Sequence, residues 1–146
     1  MAQFGRPSTD TVNESYTDQA AGSTNIFQSI DEVSASDTDY IQSALTPTND
    51  VYATKLTSVT DPVVSTGHIV RYRYSKDAAG GAQIDLTVQL RQGYVSEVTQ
   101  GTLIASAAHT NISDAWTAGT FTLSGAEADA ITNYADLFFR FVGNQV

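Results

Sequence analysis

Gln83 to Arg91 reads QIDLTVQLR, and apolar and polar residues alternate across all nine positions. Ile84, Leu86, Val88 and Leu90 fall on one side; Gln83, Asp85, Thr87, Gln89 and Arg91 fall on the other. A period of two marks a strand with one face on a core and the other in water. The preceding stretch, Gly67 to Ser75 (GHIVRYRYS), alternates in the same way. It sets His68, Val70, Tyr72 and Tyr74 against Ile69, Arg71 and Arg73. Between the two, Gly80-Gly81 in KDAAGGA supplies the positive φ angles that a reversal requires. Gly67 to Arg91 is therefore expected to form one long hairpin.

Further strands are expected on both sides of it. Val51 to Thr60 is rich in β-branched residues, and Tyr40 and Ile41 restart extended structure ahead of it. Thr102 to Ala107, Ala115 to Leu123 and Asn133 to Val142 complete the set. In the last, Leu137, Phe139 and Phe141 should point inward, and Phe138 and Arg140 outward. Ser124-Gly-Ala-Glu127 has the form of a capping box, which predicts a short helix over Gly125 to Thr132, with Leu123 and Ala128 placed as a weak staple. Short strands separated by turns, with one helical turn, predict an all-β fold. The architecture expected is an antiparallel β-sandwich, preferably a jelly roll.

The chain has 146 residues, the size of one domain. Residues 1–25 are polar and show no sustained period. They are expected to form an extended N-terminal arm, with residues 26–146 as the sandwich. Phe4 and Tyr16 would anchor that arm in pockets of a neighbouring subunit. An outward Phe138 would be a third anchor, unless the short helix or the arm covers it.

Seven Lys and Arg stand against 16 Asp and Glu, a formal charge of −9. That balance argues against nucleic acid, which requires a positive footprint, and against an anionic membrane. The absence of cysteine excludes disulfides, thiolate metal sites and cysteine nucleophiles. MAQFGRPSTD has no apolar core of a secretory signal, and no run reaches the length of a membrane-spanning helix. Synthesis and folding in the cytoplasm are expected.

No catalytic constellation stands out. His68 shares a strand face with Val70 and Tyr72 and reads as a packed or edge residue; His109, in AAHTN, reads as a loop residue. Two histidines without matching spacing do not make a zinc site. Asp31-Glu32 and Asp37-Thr38-Asp39 lack the spacing of a calcium loop and read as solvated turns rather than a paired-carboxylate site. Arg71-Tyr72-Arg73-Tyr74 interleaves basic and aromatic residues, but a strand sends the two types to opposite faces. The sequons at Asn13 and Asn111 read as chance matches. No cofactor and no metal are expected, and the chain is expected not to be an enzyme.

Three stretches are familiar as an ordered set: IFQSIDE followed by SDTDYIQS (Ser36 to Ser43), GHIVRYRYSK followed by LTVQLRQG, and LSGAEADAITNYADLFFRF (Leu123 to Phe141). Their order resembles small β-sandwich proteins encoded among the virion genes of tailed bacteriophages, over residues 26–142. The resemblance implies a virion structural role, most directly a capsid decoration or cement protein. Such a protein sits on the outer capsid surface, binds the major capsid protein and often forms a homotrimer. It implies no catalytic residue. The competing reading is a carbohydrate-binding or receptor-binding module on a tail or head fibre, with Trp116, Tyr94 and Tyr52 stacking on sugar rings. A hydrolase ranks below both.

Overall fold

The computed structural model describes residues 2–79 and 82–146. Gly80 and Gly81, on which the expected reversal rests, lie outside the described residues. Its regular secondary structure is nearly all strand. It contains β1 (Pro7–Asn13), β2 (Thr17–Asp18), a 3-10 turn (Ile26–Ser29), β3 (Ile41–Gln42), β4 (Asp50–Leu56), β5 (Ile69–Tyr74), β6 (Ile84–Gln92), β7 (Thr102–His109), β8 (Thr117–Thr122), α1 (Gly125–Asp129) and β9 (Leu137–Gln145).

β1, β4, β9, β6 and β7 form a five-stranded sheet in that order, while β5 pairs with β8 and β2 with β3. Every pairing is antiparallel. The architecture is the expected all-β sandwich. The period-2 stretch that became β6 lies inside the large sheet, paired on one side with β9 and on the other with β7.

The expected hairpin is corrected. β5 does not pair with β6: Ile69 to Tyr74 runs against Thr122 to Thr117 of β8, in the other sheet. The chain crosses from one layer to the other between the two strands. Both stretches are strands, and Val70, Val88 and Leu90 point inward as anticipated, although Arg91 on the β6 face expected in water is buried; alternation says which side of a strand is apolar and nothing about which strand lies beside it.

The core forms between the layers. Leu56, Leu90, Ile104, Ala105 and Leu137 of the large sheet meet Val70 of β5, with Tyr72 and Phe121 packed alongside; Leu123, Ala128 and Ile131 close the cluster through the α1 region. Burying a Leu, Val or Ile side chain of this kind stabilises by about 1.5–3 kcal/mol. α1 begins where the capping box places it. The Ser124 side chain accepts from the Glu127 N–H, and Glu127 accepts from the Ser124 N–H. It ends three residues earlier than expected, with Ala130 as the C-cap.

A second cluster joins Tyr16, Ile26 and Tyr52, with Ile30, Ile41 and Phe141 against it. This cluster corrects the N-terminal boundary. β1 is not part of a separate arm: it is the edge strand of the large sheet, in register with β4 from Pro7 opposite Leu56 to Asn13 opposite Tyr52. Its bulges between Pro7 and Thr9 and between Asp10 and Val12 interrupt the alternation that would have marked it as a strand. Ahead of β1, the Gln3 side-chain amide bonds both the N–H and the C=O of Thr60.

Candidate functional site

Of the three expected contact residues, two are used inside the chain. Tyr16 is buried, with its ring 5.8 Å from that of Tyr52. A tight turn sets it there: Asn13 Oδ1 accepts from the Tyr16 N–H, and Asn13 Nδ2 donates to the Tyr16 C=O. Burial, and then the charge of Asp50, push its phenol far above the usual range. Its ring is packed within its own chain.

Phe138 does face away from the inter-sheet core, as its parity requires, yet only 5% of it is exposed. It packs with Ala53, Tyr94 and Val12. The segment 93–101 folds over this outer face and covers it. Phe138 is therefore not an exposed anchor. Only Phe4 is exposed, at 59%, with the Arg6 guanidinium 5.1 Å from its ring centre.

The covering segment is fastened by a polar clamp. Glu97 receives Arg140 through Nε at 2.7 Å and Nη2 at 2.5 Å, and the Tyr94 hydroxyl donates to the same carboxylate. Arg91 donates to Gln89 and to the Gln100 carbonyl. The Arg140 hydrogen bonds hold the Glu97 carboxyl below the usual carboxylate range, against its partial burial. Burial and the bond to Glu97 push the Tyr94 phenol well up. Gly101, with φ +62, ends the segment where a Cβ would stand 2.2 Å from the Gln92 carbonyl oxygen.

His109 is corrected from a loop residue to the last residue of β7. It stands where the two sheets meet: Nε2 lies 2.6 Å from the Tyr72 hydroxyl, and Nδ1 lies 3.1 Å from the Tyr74 hydroxyl. The Tyr74 and His109 rings are 4.4 Å apart. A neutral imidazole has one donor nitrogen and one acceptor, so one tyrosine must donate and the other accept. Both nitrogens are thus engaged in bracing β7 against β5. Gly119 on β8 lies under Tyr72, where a Cβ would meet the ring at 2.3 Å.

His68 is half-buried on the expected β5 side, with Nε2 2.8 Å from the Tyr134 hydroxyl; Nδ1 is buried without a partner. Tyr134 lines an open depression of about 200 Å3 together with Asp61, Ser65 and Asp129. A second depression, of about 380 Å3, is lined by Lys76, Asn111, Ser113 and Asp114. In the first of these depressions the Ser65 hydroxyl donates to the Asp129 carboxylate.

The acidic stretch is partly neutralised. Arg73 grips Asp37 through two bonds of 2.5 and 2.7 Å. Glu32 is different: burial first, and the charges of Asp39 and Asp31, push its carboxyl above the usual range. Among the described residues no group of three or more His, Asp or Glu is placed to hold a metal ion, and no helix is long and apolar enough to cross a membrane.

The aromatic set expected for sugar stacking does not assemble. Tyr52 and Tyr94 are 0% and 2% exposed. Trp116 is half-buried beside Tyr40, with ring centres 5.5 Å apart. Sequence reading missed both the His109 brace and the Glu97 clamp. The face parity of Tyr72 and Tyr74 was visible, but their partner became identifiable only once β5 and β7 were placed in facing sheets.

Comparison with protein-family models, with curated proteins and with solved structures finds no match to this chain.

Proposed function

We propose that the chain is a bacteriophage virion structural protein, a capsid decoration protein that binds the outer surface of the major capsid shell and stabilises the head. It works by binding, without turnover. The observation that carries the reading is the ordered set of stretches resembling such proteins. Those stretches are also the ones that build the folded cores: Ile26 and Ile41 in one cluster, Val70, Leu90, Leu123 and Leu137 in the other.

Other features support it. A charge of −9 favours a position outside a shell packed with phosphate. An antiparallel sandwich buries its own core and can be added to a finished surface. The strand sequence supports the jelly-roll version of the fold. The large sheet runs β1-β4-β9-β6-β7, and the β5-β8 pair forms a second, two-stranded sheet, an arrangement we read as a reduced jelly roll. Exposed apolar side chains at Val33 (85%), Leu45 (84%), Val63 (86%) and Val98 (96%) offer contacts to a shell.

The experiment is a comparison of heads with and without the protein under heat, dilution and osmotic shock. Heads that lack it should fail earlier; equal survival defeats the cementing role. The second reading, a glycan-binding module, retains only the Tyr40–Trp116 pair as a stacking surface. Binding of a glycan that is lost on Trp116→Ala, with the fold intact, would favour it over decoration.

A further inference from the structure

We propose that the free edge of β7 pairs with β7 of a second copy of this chain, joining two five-stranded sheets into one of ten strands across a two-fold axis. The two edges of the large sheet differ in kind. β1 carries Pro7, Asp10 and two bulges, devices that blunt an edge. β7, reading TLIASAAH, ends the other side of the sheet and contains no Lys, Arg, Asp, Glu or Pro.

From Ala105 to His109 its pairing with β6 is regular, residue by residue, against Leu90 to Leu86; the register shift lies beyond, at Leu90/Arg91. Among the described residues no strand pairs with β7 on the side away from β6, which leaves backbone N–H and C=O groups there for another strand. That side fixes the chemistry of the occupant, an extended polypeptide.

The side chains favour a copy of the same strand. Centring the two-fold axis on Ala107 sets Ala107 against its own counterpart, Ser106 against Ala108, and Ala105 against His109. Small residues meet small ones, and the imidazole meets a methyl group. None of the facing residues from Ala105 to His109 carries a carboxylate, an ammonium or a guanidinium group, and a symmetric, self-complementary contact is what a two-fold axis requires. The net charge of −9 opposes association of copies at long range, so added salt should tighten the pair. The inference is independent of the virion reading, and its two-fold symmetry departs from the threefold arrangement that the resemblance implies.

The test is sedimentation velocity of the full chain over rising concentration, with two variants. The wild type should form a dimer. Ser106→Lys combined with Ala108→Lys places like charges opposite one another and should weaken dimerisation by at least about tenfold, with the circular dichroism unchanged. Because the chain has no cysteine, Ala107→Cys provides an independent readout. Mild oxidation should link it into a covalent dimer, whereas Val98→Cys, on a residue 96% exposed, should not link. A wild type that stays monomeric, an assembly that the lysine pair leaves intact, or cross-linking no greater at position 107 than at 98 would each overturn the proposal.

Discussion

Asp10 ties three parts of the chain together through one carboxylate. It accepts from the N–H groups of Ile26 and Phe27 at 2.9 Å each, and from the hydroxyl of the fully buried Tyr52. Asp10→Ala would strip the 3-10 turn of its acceptor and leave a phenol buried without a partner. We expect a loss of about 2–3 kcal/mol in urea unfolding, with Asp10→Asn recovering part of it. Gly119→Ala should also destabilise, by about 1–3 kcal/mol, because the new methyl group meets the Tyr72 ring, which His109 holds in place. Denaturant midpoints measure both. Glu97 adds a pH dependence. Its carboxyl titrates lower in the folded protein than in the unfolded chain. The stability it contributes is therefore present above the unfolded value and is lost as pH falls through the folded one. Glu97→Gln should cost about 1 kcal/mol at neutral pH, and the gap from wild type should close in acid. A constant gap at all pH values would contradict the assignment.

At the scale of elements, β1 changes what a truncation should do. A separate arm could be removed while the sandwich stays folded. An edge strand bonded along β4, with Asp10 and Tyr16 built into a core, cannot. Deleting residues 1–20 should lower the melting temperature or prevent folding, whereas deleting residues 1–5 should leave the sheet intact; thermal melts of the two truncations separate the cases. β1 was hidden because PSTDTVN is polar and bulged, as suits an edge. β4 to β9 and the capped helix were legible, since each carries its own local signal in alternation or at its cap. Their neighbours were not legible. β5 meets β8 across dozens of residues of intervening sequence, and no pattern within GHIVRYRYS names the threonine-rich Thr117 to Thr122 as its partner. Phe138 misled for a related reason. Alternation predicts two faces, and it cannot say that the segment 93–101, clamped by Glu97 and Arg140, covers the second.

At the scale of the whole molecule, the proposed role joins an acidic surface, an antiparallel sandwich and a set of stretches resembling virion proteins. The structure has redrawn the surfaces on which that role could depend. Tyr16 and Phe138 are spent on the interior, which leaves Phe4, the apolar loop positions and the β7 edge outward. His109 bonds Tyr72 and Tyr74, and His68 bonds Tyr134. The most direct measurement is the position of the protein in an imaged virion. Density matching this sandwich on the outer capsid lattice is the result the account predicts. Density at the tail tip, or none on the particle, would contradict it.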